Sequence, residues 1–292
     1  MRPDPIPATG SVLAEALKDQ GYCIVRGAVS AATVHAFDRD LEPVFDETPF
    51  CAGGFYGERT KRFGRLLARS PNAERFVRHG MILDAVQDVL APWCDTVQLN
   101  LTQAIAVHPG ALAQLPHRDQ DMWRGQPGEI EYLVNVMWPF TDYRADNGAT
   151  LIWPGSHGAN ALTDPPPHAS VVAEMNPGDA LIFLGSTLHG AGSNQSDTVR
   201  RGMIVSYCLG WLKPYENQWL AYPPAIARGF SRELAQLVGY QQHRPNLGNY
   251  EGCCPSILLK ATPGEPLGAV DALRPDQADA VAAFVADQRR RQ

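Results

Sequence analysis

Between residues 94 and 212, short strand-like runs alternate with turn signals, and no other feature limits the fold as much. The runs are Thr96 to Val107, Glu131 to Phe140, Ala149 to Trp153, Ser170 to Met175, Ala180 to Leu184 and Arg201 to Leu212. Asn147-Gly148, Pro154-Gly155 and Pro177-Gly178 punctuate them, and these pairs supply the backbone angles that tight turns need. Many short strands joined in this way predict a β-sandwich or jelly roll, not a long-helix bundle. The chain carries 26 Gly and 24 Pro in 292 residues. They are spread along it rather than clustered, as a turn-rich fold requires.

Helical patterns flank this core. Ser11 to Gln20 places Val12, Leu13, Ala16 and Leu17 on one side, and Gly21 ends it as a C-terminal cap. A short strand, Tyr22 to Arg26, follows. Ser30 then caps a helix carrying Val34, Phe37 and Leu41 at helical spacing. A Gly-rich loop from Cys51 to Gly57 leads into Lys61-Arg62-Phe63-Gly64-Arg65, and a third helix over Ile82 to Leu90 stops before Pro92. Helical patterns return at Ser231 to Val238 and Pro275 to Arg289. The expectation is one domain over 1–292: a mainly helical part at 1–92, the β core at 94–212, and a C-terminal extension with helices at 213–292.

Composition removes several classes of function. Apolar residues make up 45% and charged residues 19%, enough for a substantial core. The net charge of -6 opposes non-specific binding to nucleic acid or anionic membranes. No run of 18 apolar residues spans a bilayer, and Met1-Arg2-Pro3-Asp4-Pro5 leads into no signal-peptide core. The six cysteines, Cys23, Cys51, Cys94, Cys208, Cys253 and Cys254, include no CxxC pair. Reduced thiols and a cytoplasmic location are the expectation.

The chemistry-bearing residues are His117-Arg118-Asp119 and His189. Alternate residues of a strand share a face, so His117 and Asp119 are expected to point the same way. Two imidazoles and one carboxylate make the facial triad that holds Fe(II) and leaves positions open. An H-x-D triplet alone is weak, but Arg200 follows His189 by eleven residues across Gly190-Ala191-Gly192-Ser193-Asn194. That spacing suits two neighbouring antiparallel strands, one presenting a metal ligand and the other a guanidinium. An oxo-acid chelating the metal has a far carboxylate for such a guanidinium. Only one of Arg200 and Arg201 faces inward, and Arg200 is the expected one.

These residues also carry a family resemblance. The pattern runs Gln114-Leu115-Pro116-His117-Arg118-Asp119, Asn147-Gly148-Ala149-Thr150, Pro154-Gly155-Ser156-His157, His189-Gly190-Ala191-Gly192 and Arg200. It resembles the phytanoyl-CoA dioxygenase family, Fe(II)/2-oxoglutarate oxygenases built on a double-stranded β-helix, a cupin-like jelly roll. Pro214-Tyr215-Glu216-Asn217-Gln218-Trp219 resembles the branch of fungal and bacterial natural-product oxygenases. The resemblance implies Fe(II), 2-oxoglutarate as cosubstrate, and O2. It implies His117, Asp119 and His189 as iron ligands and Arg200 as partner of the distal carboxylate of 2-oxoglutarate. Gln114 and Thr150 match positions that help hold the cosubstrate, and Trp138 matches an aromatic position beside it. Some members carry Ser two residues after the distal His; here Ala191 stands there, so that contact is absent. A basic residue of the early loop touches cosubstrate in some members, and Lys61 and Arg62 both qualify. Members are often homodimers, which the resemblance extends to this chain.

Asp119 occupies the position that iron halogenases leave open for chloride, which argues against halogenation. Hydroxylation, desaturation and ring formation all remain open. Around the motifs, Met122, Trp123, Phe55, Tyr56, Tyr143 and Trp211 are the candidate substrate contacts, with Phe55 and Tyr56 in an entrance lid. They suggest a small, largely apolar metabolite as substrate. His157 reads as a turn-stabilising residue rather than a third imidazole ligand. The alternatives are an acyl-CoA or simple acid hydroxylase of the same family, and a non-redox cupin metalloenzyme that would need no Arg200.

Overall fold

The computed structural model describes residues 9–125, 128–260 and 267–291. Among the described residues nine strands form two sheets: β1 (Tyr22–Val25), β2 (Thr60–Phe63), β3 (Val97–Val107), β4 (Leu133–Pro139), β5 (Thr150–Ile152), β6 (Val171–Val172), β7 (Ala180–Leu184), β8 (His189–Ala191) and β9 (Arg200–Leu209). The larger sheet has the order β1-β7-β4-β9-β3-β2 and the smaller β6-β5-β8. All strand pairs are antiparallel. Two facing antiparallel sheets with non-sequential strand order are the jelly roll that the turn pattern predicts.

Helices α1 (Gly10–Gln20), α2 (Ala31–Glu47), α3 (Ala73–Val77) and α4 (Gly80–Leu90) precede the core; α5 (Gln218–Ala221), α6 (Pro224–Ala227), α7 (Arg232–Leu237) and α8 (Pro275–Arg291) follow it. The Thr9 hydroxyl caps α1 by accepting from the Val12 N–H, and Gly21 closes the helix in the left-handed conformation. Ser30 caps α2 in the same way, accepting from Thr33. No helix among the described residues is long and apolar enough to cross a membrane.

The period of two decides what the larger sheet shows to each side. Val134, Val136 and Trp138 of β4, with Met203, Val205 and Tyr207 of β9, join the apolar layer of Leu13, Phe37, Phe76 and Val86 from the N-terminal helices. A second apolar cluster, which includes Ile105, Met137, Ile152, Phe183 and Ile204, lies between the sheets. Burying this many large side chains supplies the main drive to fold, at about 25 cal/mol per Å² of apolar surface. Glycine is required at the sheet junction: at Gly148 φ is +87°, and a Cβ would lie 2.9 Å from the Gly192 carbonyl oxygen.

Several boundaries differ from the sequence expectation. Only Val171 and Val172 of the predicted run Ser170 to Met175 form a strand, because their side chains are exposed and find a single partner, β5. Gly190 lies inside β8 rather than in a turn; a Cβ there would meet the Gln114 carbonyl oxygen at 3.2 Å. His189 and Arg200 are not on neighbouring strands. β8 pairs with β5 in the smaller sheet, and β9 pairs with β3 and β4 in the larger, so the intervening turn crosses between sheets.

One buried acid sets a pH dependence. Glu131, just before β4, is 9% exposed and accepts a hydrogen bond from the Ser186 hydroxyl. Burial pushes its carboxyl up to about 7. An acid with a raised folded-state pKa binds more protons folded than unfolded, so its contribution falls as pH rises from about 4.5 to about 7. The loss is about 3 kcal/mol, or about 5 °C in a chain of this size. Glu131→Gln is expected to remove most of that decline, measured as the difference in melting temperature between acidic and alkaline buffer.

Candidate active site

One end of the space between the sheets is a pocket lined by His117, Asp119, His189 and Arg200. His117 lies between β3 and β4, where it forms a lone two-residue bridge with His189. Each backbone N–H donates to the other's carbonyl, at 2.9 and 3.0 Å. Asp119 is the first residue of a 3-10 turn, Asp119–Trp123. The predicted strand through His117 and Asp119 is therefore not formed, yet the bridge and the turn bring both side chains to His189.

The side chains meet closely. Nε2 of His117 is 3.4 Å from Asp119 Oδ1, and Nε2 of His189 is 3.5 Å from Asp119 Oδ2. One donor atom from each residue falls within 4.8 Å of the others. Nδ1 of His117 hydrogen-bonds to the Leu115 carbonyl at 2.8 Å, and Nδ1 of His189 to the Thr187 carbonyl at 3.0 Å. Carbonyls only accept, so both rings carry the proton on Nδ1 and turn an Nε2 lone pair to the centre. Burial alone would raise the Asp119 pKa, but the facing imidazoles hold its carboxyl well below the usual range. Burial likewise opposes charge on His117, and Asp119 outweighs it to raise the imidazole above its ordinary value. Two oriented imidazole nitrogens and a carboxylate fit a divalent transition metal such as Fe(II).

Behind the triad stands Arg200, 2% exposed, its guanidinium 4.4 Å from the centre of the Tyr143 ring. Its Nε has no hydrogen-bond partner, and no carboxylate pairs with it among the described residues. Arg201 faces the opposite side and binds Asp38 of α2 at 2.6 Å. Gln114 and Thr150 line the same pocket; Gln114 accepts from the Ala191 N–H, and Thr150 lies opposite Ala191 in register. Strand alternation separates the two basic candidates on β2. Arg62 reaches the pocket, with Nη1 donating to Gln103 Oε1 at 3.1 Å, while Lys61 turns to the helix side and donates to the Phe45 carbonyl at 2.8 Å. Burial lowers the Arg62 pKa, and Arg200 adds like-charge repulsion. Two guanidiniums facing one pocket, with no carboxylate paired to either among the described residues, suit a ligand carrying carboxylates.

Trp138 is a correction. It is fully buried on the helix side of β4, its ring 5.1 Å from that of Phe76, because residue 138 has the opposite parity to the pocket-facing Asn135 and Met137. The substrate candidates also divide. Phe55, Tyr56 and Met122 line the pocket. Trp123 does not: 3-10 geometry stacks residues three apart, so Met122 shares the side of Asp119. Trp123 turns away and donates to the Lys213 carbonyl at 2.8 Å. Tyr143 is fully buried beneath Arg200. Trp211 lies outside the pocket, where it donates to the Trp93 carbonyl at 2.8 Å. His157 binds the Lys18 carbonyl at 2.9 Å, a tie between loop and helix.

The structure adds residues that spacing did not single out as site residues. Asn100 sits at a bulge in β3; its side-chain oxygen accepts from the Tyr215 N–H at 2.7 Å and its carbonyl from the Glu216 N–H at 3.0 Å. That tie sets Tyr215 at the pocket mouth, where its hydroxyl meets that of Tyr56. Asn135 lines the pocket floor beside Asp119. The available signal was a lone Asn in the apolar run Leu133-Val134-Asn135-Val136-Met137-Trp138.

Comparison with known proteins places the chain in a lineage. The family model for phytanoyl-CoA dioxygenase matches residues 17–202, which include the triad and Arg200. The chain belongs to the phytanoyl-CoA dioxygenase family. It is accordingly a 2-oxoglutarate-dependent non-haem iron dioxygenase, with Fe(II), 2-oxoglutarate and O2 as its cofactors and cosubstrates. Dioxygenase cdmA of Talaromyces verruculosus is 30% identical over 78% of this chain and 82% of its own length. Multifunctional dioxygenase prhA of Penicillium brasilianum is 29% identical over 80% of this chain and 85% of its own. Among solved structures, the carbocyclase SnoK from nogalamycin biosynthesis matches with a TM-score of 0.58 at 19% identity, covering 70% of this chain and 87% of that one. The epimerase SnoN, solved with Fe3+, α-ketoglutarate and nogalamycin RO, matches with a TM-score of 0.58 at 17% identity over 92% and 96%. These two likenesses concern the fold.

Proposed function

We propose that this family member oxidises an unactivated C–H bond of a small, largely apolar metabolite in natural-product biosynthesis, converting 2-oxoglutarate to succinate and CO2. One observation carries the reading: the three donors of His117, Asp119 and His189 share a pocket with a buried Arg200 that has no acid partner among the described residues. Bound Fe(II), with 2-oxoglutarate and O2, supplies the oxidising power for hydrogen abstraction from carbon.

The chain's own residues do the rest. His117 and His189, held through Nδ1 by backbone carbonyls, offer Nε2 without reorganisation. Asp119, ionised at neutral pH, completes the ligand set and offsets part of the metal charge. Arg200 takes the distal carboxylate of 2-oxoglutarate, with Gln114 and Thr150 alongside, and Arg62 serves the cosubstrate's negative charge from β2. Leu133, Met137, Phe183 and Ile204 line the pocket with apolar surface, which excludes water from a reactive centre. The mouth carries Phe55, Met122 and Tyr215, at 48%, 41% and 46% exposure. That apolar rim favours an apolar scaffold over the charged tail of an acyl-CoA. The names of SnoK and SnoN, from nogalamycin biosynthesis, support a tailoring role.

Anaerobic addition of Fe(II) and then 2-oxoglutarate is expected to produce a weak visible charge-transfer absorption, and oxygen is then expected to yield succinate. A zinc-dependent hydrolase or isomerase on this fold would show neither. Absence of both signals from folded, iron-loaded protein would overturn the oxygenase reading.

A further inference from the structure

We infer that Asn135 is a positioning residue that ties down one oxygen of Asp119 and leaves the other for the metal. This rests on the metal-centre reading above. Asn135 lies at the middle of β4, between β7 and β9, in register with Phe183 and Ser206. All seven residues of the strand are buried, and Asn135 alone among them has an amide side chain. It is 1% exposed, and its Nδ2 donates to Asp119 Oδ2 at 2.9 Å. Its Oδ1 is buried with no partner.

A buried amide left half satisfied costs stability, where leucine would cost nothing of the kind. The fold alone therefore gives no reason for an amide here, and the carboxylate does. Asp119 is an acceptor only, so the amide orientation is set: the NH2 end faces Oδ2, and the reverse would put two oxygens together. An aspartate free to swing can offer one oxygen or both. With Oδ2 engaged from the floor, Oδ1 is the oxygen left to bind, and a carboxylate held to one bond keeps the remaining coordination positions for cosubstrate and O2. Oriented partners of metal ligands act in this way generally.

The test uses the full chain without iron and Mn(II) as an oxygen-insensitive probe, titrated by the electron paramagnetic resonance of the free ion. Asn135→Leu keeps the side-chain shape and suits its apolar neighbours, while Asn135→Ser keeps a donor. Asn135→Leu is expected to weaken Mn(II) binding about 10–100-fold, with the melting temperature of the metal-free protein unchanged or higher. Asn135→Ser is expected to recover part of the affinity. The iron–2-oxoglutarate absorption of the leucine variant should also shift from that of the wild type. A leucine variant that binds Mn(II) within about threefold of wild type, with an unshifted absorption, would overturn the positioning role and leave the metal centre standing. Wild-type protein that binds no Mn(II) would overturn the metal centre itself, and this inference with it.

Discussion

Asp119→Ala is expected to abolish oxygen-dependent succinate formation, by a factor of about a thousand or more, while the chain stays folded. The ligand set supplies two neutral imidazoles and one anion, so this substitution removes the only negative charge among the three donors. A loss of about 4 kcal/mol in binding and charge stabilisation corresponds to that factor. A second consequence follows without metal. The His117 pKa lies above its ordinary value because Asp119 outweighs the effect of burial. With Asp119 gone, burial and Arg62 oppose the charge and only the Leu115 carbonyl favours it, so the pKa should drop, followed by nuclear magnetic resonance across the neutral range. His117→Ala and His189→Ala should match the loss of turnover. Retained succinate formation in folded Asp119→Ala would remove the carboxylate from the ligand set.

Arg200→Gln is expected to separate cosubstrate binding from folding. The guanidinium is buried over Tyr143 with no acid paired to it among the described residues, so the metal-free fold gives this cation no counter-charge in direct contact. Removing it should leave the melting temperature unchanged or raise it. The affinity for 2-oxoglutarate should fall by about a hundredfold or more, because truncating one partner of a buried charge pair costs about 2–5 kcal/mol. Thermal protection by added 2-oxoglutarate, present in wild type, should vanish at the same concentration. An Arg200→Gln variant that melts early and still binds 2-oxoglutarate normally would make Arg200 a structural residue.

Much of the site was legible because its signals are local. His117 and Asp119 are two residues apart, and a short connection can aim both at one point whatever its backbone form. The Asn147-Gly148 turn, the cap residues Ser30 and Gly21, and the choice of Arg200 over Arg201 all follow from one or two neighbouring residues. Aromatic residues were harder to assign. Trp138, Trp123, Tyr143 and Trp211 are large and apolar, and such side chains serve a core and a pocket equally well. Parity on β4 sends Trp138 to the helices, and 3-10 rotation sends Trp123 away from Met122. Neither register nor the presence of the 3-10 turn is written in residue type.

The sequence by itself determined the family, the His, Asp and His that gather at one point, the turn-rich β core and the choice of Arg200 as the basic residue of the pocket, since each rests on short motifs in a fixed order. Tertiary structure decided that His189 and Arg200 belong to different sheets and that Arg62, not Lys61, enters the pocket. It also set Asn135 beneath Asp119 and let the bulge at Asn100 carry Tyr215 to the mouth. These are contacts between residues 16 to 115 positions apart. They depend on strand register and sheet closure, which the whole apolar core settles at once and no local pattern encodes.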